Sequence, residues 1–432
     1  MSSLAERFNE AEAAFAAGDW ERALRGYTAV VEVAPRFTPA RYRVADCLLN
    51  LGDSEHAKTV YRSLAWHYIR SGHPLLGLAL CKMVMALDPQ SADLLEILAE
   101  LYSCESERVG EAELPGPPPL PDGAPAPALP EDPPPQLRES AARLAADTDA
   151  ITETPANFPQ MPLFSYLDEP TFIRVLRRLK LRRFQHDDII VREGERGESF
   201  FMLANGQVTV WKMVDGREAK LARLHQGAVF GEMALVSSAP RTATVRAVGD
   251  VDLLELSRAD IESQADELES VRSALQRFTR GRFLANLAAT SPLFQTLAPE
   301  ARRRVLARFQ SELVSPGDII IEEGEPGPGL FLVLRGELKV SRRVGETERR
   351  LAILRSGQVF GEISLLRDIA TTATVTAVSA CEVLRIRRER FEEVLRDFPE
   401  LWSALSSLSE KRREEQRRVI GSVATVDSAV LL

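Results

Sequence analysis

Between Leu4 and about Cys104, apolar residues recur at helical spacing, and the runs are separated by Gly-Asp or Pro rather than by strand turns. The pattern predicts an all-helical array in which Pro35 and Pro89 each end a helix and Ser91 to Ser103 forms a capping helix. Past about residue 160 the pattern changes. Runs such as DIIVREGE, SFFMLANGQVTVWK and AKLARL carry β-branched and aromatic residues between glycine-containing turns, which predicts a small antiparallel roll. The stretch between the two patterns, LPGPPPLPDGAPAPALPEDPPPQ at 114–136, is rich in proline, which removes backbone donors and holds a chain extended. It reads as a linker with few fixed contacts across it, and a short helix, Leu137 to Ala146, interrupts the loop before Phe158.

Two internal repeats underlie these patterns. In the helical third, the turn Ala17-Gly18-Asp19 returns 34 residues on as Leu51-Gly52-Asp53, with small Ala23 and Ala57 four places after each aspartate. That period, and the close helix approach those alanines allow, resemble tetratricopeptide repeats. The third unit is irregular, because Ser71-Gly72-His73 follows Gly52 by only 20 residues. The resemblance implies a concave surface for an unidentified protein partner. A small dimerisation or docking bundle fits the same residues, so homo-oligomerisation stays open. In the strand-rich part, Pro162-Leu163-Phe164 recurs as Pro292-Leu293-Phe294, Asp188-Ile189-Ile190 as Asp318-Ile319-Ile320, and Phe230-Gly231-Glu232 as Phe360-Gly361-Glu362, each offset by 130. A constant offset held over so long a stretch means two copies of one complete domain.

One segment interrupts the strands of the first copy, FGEMALVSSAPRTATV at 230–245. It reads as a turn, a helical turn and a strand. Gly231 permits backbone geometry that a larger residue resists, and the helical turn presents unpaired amides to an anion. Arg241 opens the next strand with a planar, permanently charged fork suited to two phosphate oxygens. Glu232, an acceptor only, suits a sugar hydroxyl. The set asks for a compact ligand with one anion and one sugar hydroxyl.

These residues resemble the phosphate-binding cassette of the cyclic nucleotide-binding domain in every motif position, and the likeness extends over about 162–285, including Gly194-Glu195 and Gly206. The resemblance implies an eight-stranded β-roll with flanking helices that binds cyclic AMP or cyclic GMP. It assigns Glu232 to the ribose 2′-hydroxyl, Arg241 to the exocyclic phosphate oxygens, and the amides near Gly231 and Ala234 to the same phosphate. Met233 and Thr242 complete the ligand-binding set, with Thr242 bearing on base choice without deciding it. The second copy keeps Gly361 and Glu362 but has Thr371, followed by Thr372, where the first has Arg241, which makes it a degenerate second site. Losing one partner of a buried charge pair costs about 2–5 kcal/mol, enough to turn a binder into a scaffold. An inward Arg367 as substitute, a solvated Arg367, and a neutral nucleoside as ligand all stay open.

The expected fold is multidomain: a tetratricopeptide-like all-α array at 1–105, a Pro-rich linker at 106–157, antiparallel β-roll domains with flanking helices at 158–285 and 286–420, and a tail at 421–432. A helix from Arg258 to Ala289 and another from Pro399 to Ile420 follow the rolls, and the charged run Lys411 to Arg418 reads as a solvated helical face. Interaction module, linker and tandem rolls are similar in layout to the regulatory subunit of protein kinase A. Residues 105–160 nevertheless hold no Arg-Arg-x-Ser or Arg-Arg-x-Ala pseudosubstrate.

Composition narrows the function. The chain's 54 Lys and Arg against 63 Asp and Glu give a net charge of −9, the wrong sign for holding nucleic acid across the whole surface. A second roll stands where a helix-turn-helix would follow, so DNA is not an expected partner. No apolar run approaches the roughly 20 residues of a membrane helix, and MSSLAERFNE lacks the regions of a signal peptide, so a cytoplasmic chain without membrane insertion is expected. Cys47, Cys81, Cys104 and Cys381 make no CxxC pair, and the five histidines make no close ligand pair, so no metal is expected. No set of nucleophile, base and orienter appears, so no catalytic residue is assigned. The sequence reads as a non-catalytic signalling adaptor without a cofactor, sensing cyclic AMP or cyclic GMP in its first roll and docking a protein through its helices. A structural scaffold whose rolls need no ligand is the alternative.

Overall fold

The two Gly-Asp turns of the N-terminal third each start a helix. Asp19 and Asp53 accept from the amides of Arg22 and His56, satisfying donors that helices α2 (Trp20–Val33) and α4 (Ser54–Arg70) would otherwise leave unpaired. With α1 (Leu4–Ala16), α3 (Thr38–Asn50), α5 (Pro74–Leu87) and α6 (Asp93–Tyr102), they form an array in which each helix packs on the next. Ala23 and Ala57 are fully buried in it. The computed structural model describes all residues except 1–2, 111–117, 122, 128, 130–135, 215, 232–239, 266–273, 275–276, 279–283, 285–293, 295–296, 346, 356 and 428–432. Its contacts divide the chain into two units, Met1–Phe278 and Thr279–Leu432.

The proline-rich stretch does not hold the array away from the first roll. Strand β1 (Val109–Gly110) pairs in parallel with β2 (Phe158–Pro159), and the Leu4 amide donates to the Ala124 carbonyl at 2.8 Å, so the segment closes back on the helices. Helix α7 (Leu137–Ala146) buries Leu137, Ala141, Ala142 and Ala145 and packs on α2, α3 and α4. Arg41, only 2% exposed, fixes its end by donating to the carbonyls of Leu144, Ala145 and Asp147 at 2.7, 2.9 and 2.8 Å. A helix C-terminus is short of donors and favours a cation there. The expectation of few fixed contacts across the linker is corrected accordingly. Proline sets local extension, whereas the apolar residues beyond it decide where the chain packs.

The first roll comprises β3 (Lys180–Phe184), β4 (Ile189–Val191), β5 (Ser199–Val214), β6 (Arg217–His225), β7 (Val229–Phe230) and β8 (Thr244–Ser257), in the order β3-β8-β5-β6 with β4 on β8 and β7 on β5. Side chains alternate along β5. Phe200, Met202 and Ala204 join the core of the array and of α8 (Glu169–Arg178), while Phe201 and Leu203 face the roll interior with Val208, Phe230, Val245 and Leu253. One apolar core therefore runs from the array to the outer face of this sheet, with α5 against β3, β5 and β8. Of the helix expected over Arg258 to Ala289, Arg258–Ala265 is seen, and most of 266–289 lies outside the described residues.

The second unit repeats the roll with each long strand broken in two. β11 (Gly329–Arg335) and β12 (Leu338–Val344) replace β5, and β15 (Thr374–Ala377) and β16 (Cys381–Arg387) replace β8. With β9 (Gln310–Val314), β10 (Ile319–Ile321), β13 (Thr347–Leu354) and β14 (Val359–Phe360), they make two four-stranded sheets, β10-β15-β12-β13 and β14-β11-β16-β9. Pairing is conserved under the 130-residue shift: Phe201 faces Phe230 as Phe331 faces Phe360, and Val208 faces Ala247 as Leu338 faces Ala377. The helix Glu400–Asp427 follows. Among the described residues, no helix is long and apolar enough to cross a membrane.

Candidate functional site

The cassette begins at the end of β7, where Phe230 stacks on Phe201 with ring centroids 5.4 Å apart. Gly231 follows in the left-handed region at φ 77°. The left-handed backbone favours glycine, and a Cβ there would stand 2.5 Å from Nη1 of Arg241 and displace the guanidinium. Arg241 is seated by the β4–β5 turn: the Gly194 amide donates to its carbonyl at 2.9 Å, and its own amide donates to Glu195 at 2.8 Å. Its guanidinium donates to the carbonyls of Gly231 at 3.1 Å and Ser199 at 2.7 Å and lies 5.9 Å from the Phe201 ring. Arg241 and Gly231 thus meet at the cassette, with Thr242 exposed beside them. Glu232, Met233 and Ala234 lie outside the described residues.

In the second roll, Thr371 takes the same backbone seat. The Gly324 amide donates to its carbonyl at 3.0 Å, and its amide donates to Glu325 at 2.9 Å. Its hydroxyl faces the carbonyls of Glu322 and Glu325, 3.0 Å from the latter, so its single donor is taken up by backbone. Gly361 keeps the left-handed geometry at φ 87° and opens the short helix Glu362–Arg367. Glu362 is 1% exposed and meets its cation from the C-terminal helix: Arg412 donates to Glu362 Oε1 at 2.9 Å and to the Val359 carbonyl. The run 411–418 is therefore not wholly a solvated face, because Arg412 turns toward the roll where a buried carboxylate awaits it. Arg367 is exposed. Gly361, Glu362, Thr371 and Thr372 all line one cavity of about 180 Å³, which Arg412 also borders.

A polar network that no sequence motif marked joins the array to the first roll. Arg183 of β3 donates to Asp252 at 2.9 Å, to the Tyr42 hydroxyl at 2.7 Å and to Asp46 at 3.1 Å. Asp46 also accepts from Tyr61 at 2.7 Å. Beside it, Arg43 donates to both Glu12 oxygens, at 2.9 and 3.0 Å, and to Asp250 at 2.7 Å. Burial pushes the Asp46 carboxyl up from the usual carboxylate range, against the pull of Arg183, Tyr61 and Arg43. Burial also opposes the charge on Arg183, but Tyr42, Asp46 and Asp252 outweigh it and hold the guanidinium charged. Among the described residues, no group of three His, Cys, Asp or Glu side chains is placed to hold a metal ion.

The family model described as the cyclic nucleotide-binding domain matches residues 181–267 and 312–398, one stretch in each roll. The cAMP-dependent protein kinase regulatory subunit of Yarrowia lipolytica is 32% identical over 234 residues, covering 54% of this chain and 58% of that protein. The cGMP-dependent protein kinase egl-4 of Caenorhabditis elegans is 31% identical over 216 residues, covering 49% of this chain and 26% of that protein. The chain thus spans only part of the curated relatives it matches. A solved structure of the regulatory domain of Toxoplasma gondii PKA with cAMP is 26% identical, covering 58% of this chain and 92% of that one, at a TM-score of 0.28.

Proposed function

From the premise of two cyclic nucleotide-binding domains in tandem, resembling those of cAMP-dependent protein kinase regulatory subunits, we propose a non-catalytic, cytoplasmic signalling protein. Its first roll binds cyclic AMP or cyclic GMP, and its tetratricopeptide-like helices dock a protein partner. The observation that carries the reading is the seat of Arg241, anchored to Gly231 and Ser199 at the cassette. A guanidinium there presents a charged fork of donors matched to two phosphate oxygens. Glu232 accepts from the ribose hydroxyl, the amides near Gly231 and Ala234 donate to the phosphate, and Met233 and Thr242 complete the contact set.

Signal transfer follows from the junction between roll and array. Arg241 lies three residues before β8, the strand whose Asp252 holds Tyr42 and Arg183. A ligand that favours one position of β8 therefore biases α3, to the extent that it binds that position better. Hydrogen exchange with saturating cyclic AMP or cyclic GMP tests this. Amides of residues 38–50 should change their exchange rate along with those of the first roll, and a response confined to the roll would separate sensing from the array.

A further inference from the structure

The cavity of the second roll is lined by Thr371 at the position that corresponds to Arg241 in the first. The walls are apolar where a flat ring would lie, with Ile321, Val340, Leu354 and Val375. The polar lining includes Gln358, Glu362, Ser364, Thr371 and Thr372, with Arg412 and Glu415 from the C-terminal helix. Arg412 is the cation among the described lining residues, and it is engaged with Glu362 and the Val359 carbonyl. Arg385 does not border the cavity, being held by Glu312 at 3.2 Å and the Pro328 carbonyl at 2.8 Å. A phosphate entering here would lose its water while facing a buried carboxylate and the carbonyls around Thr371. With Arg412 paired to Glu362 and Arg385 to Glu312, that loss is only partly offset, which favours an uncharged ligand over an anion.

We infer that this cavity is a binding site for an uncharged nucleoside, a molecule that joins a vicinal diol to a flat ring. Arg412 engages Oε1 of Glu362, and a ribose hydroxyl has Oε2 to donate to. The ring lies among the apolar walls. The site is in the other roll from the one assigned to cyclic nucleotide, so the two readings succeed or fail separately.

Calorimetric titration of the full chain with adenosine and with guanosine is the test. One nucleoside should bind per chain. Arg241→Ala should retain it, and Glu362→Ala should weaken it by about tenfold or more. In the Arg241→Ala chain, excess cyclic AMP or cyclic GMP should not displace it. Thr371→Arg provides an independent arm should Glu362→Ala fail to fold. It should weaken the nucleoside and raise cyclic nucleotide stoichiometry above that of the wild-type chain. Absence of binding by both nucleosides would overturn the inference. So would their displacement by cyclic nucleotide in Arg241→Ala, or their retention at full affinity in both Glu362→Ala and Thr371→Arg.

Discussion

The Tyr42 hydroxyl donates to Asp252 Oδ2 at 2.7 Å, tying the third helix of the array to the long closing strand of the first roll. Asp252 also accepts from Arg183 and, at 3.2 Å, from Asn205, so Tyr42→Phe leaves it supported. The expected loss is about 1 kcal/mol. Arg183→Met instead leaves Asp46 and Asp252 buried without this shared cation. With the Arg183 side chain 40% exposed, the loss should fall at the low end for broken buried pairs, about 3 kcal/mol. Urea unfolding compares the two, and equal losses would contradict the assigned roles.

The shared core makes a prediction about truncation. Phe200, Met202, Leu254 and Leu256 are fully buried in the same cluster as the array. A chain of residues 158–432 should therefore expose this face, bind a hydrophobic dye and self-associate, because a contiguous apolar patch does not stay bare in water. Light scattering that finds it as monodisperse as the full chain would show the array to be dispensable for the roll.

Acid should weaken the array through His67. Its Nδ1 lies 2.8 Å from the Thr152 hydroxyl, and burial, with His73 and Arg41 adding to it, lowers its pKa to about 4. The unfolded value is about 6.5, so between those limits the unfolded chain binds more protons and stability falls as pH drops. Half-buried His73, its pKa likewise lowered by desolvation, acts in the same direction, and the raised carboxyl of Asp46 acts against both. Comparison with His67→Gln isolates the contribution. The stability lost between pH 7.5 and pH 5 should be smaller in the variant by about 2 kcal/mol. Identical pH dependence would remove His67 from the account.

Arg412→Ala leaves Glu362 buried without its cation, and should destabilise the second roll by about 3 kcal/mol. Hydrogen exchange should accelerate at residues 359–367 and stay unchanged in the array, with partial recovery in Arg412→Lys. Uniform acceleration along the chain would indicate a global effect instead.

What was legible in the sequence is local or periodic. The cassette lies within 16 residues, so Gly231 and Arg241 are visible as a pair before any fold is known. The 130-residue repeat carries the strand register of one roll onto the other, down to the Phe331–Phe360 stack that mirrors Phe201–Phe230. The junction between array and roll is neither local nor periodic. Tyr42 and Asp252 are 210 residues apart, Tyr42 and Arg183 are 141 apart, and each alone reads as an ordinary surface group. Arg41 is hidden for the same reason, since its acceptors come from α7, beyond the proline run. Arg412 reads as one of several charges on a helix until the roll fixes which face turns inward.

Calorimetry of the full chain and of Arg241→Ala with cyclic AMP and cyclic GMP decides whether Arg241 holds a cyclic nucleotide in the first roll. The wild-type chain should bind one cyclic nucleotide and the variant should lose about 2–5 kcal/mol of binding energy, with Glu232→Gln costing less. Two cyclic nucleotides per wild-type chain, or equal affinity in Arg241→Ala, would contradict it.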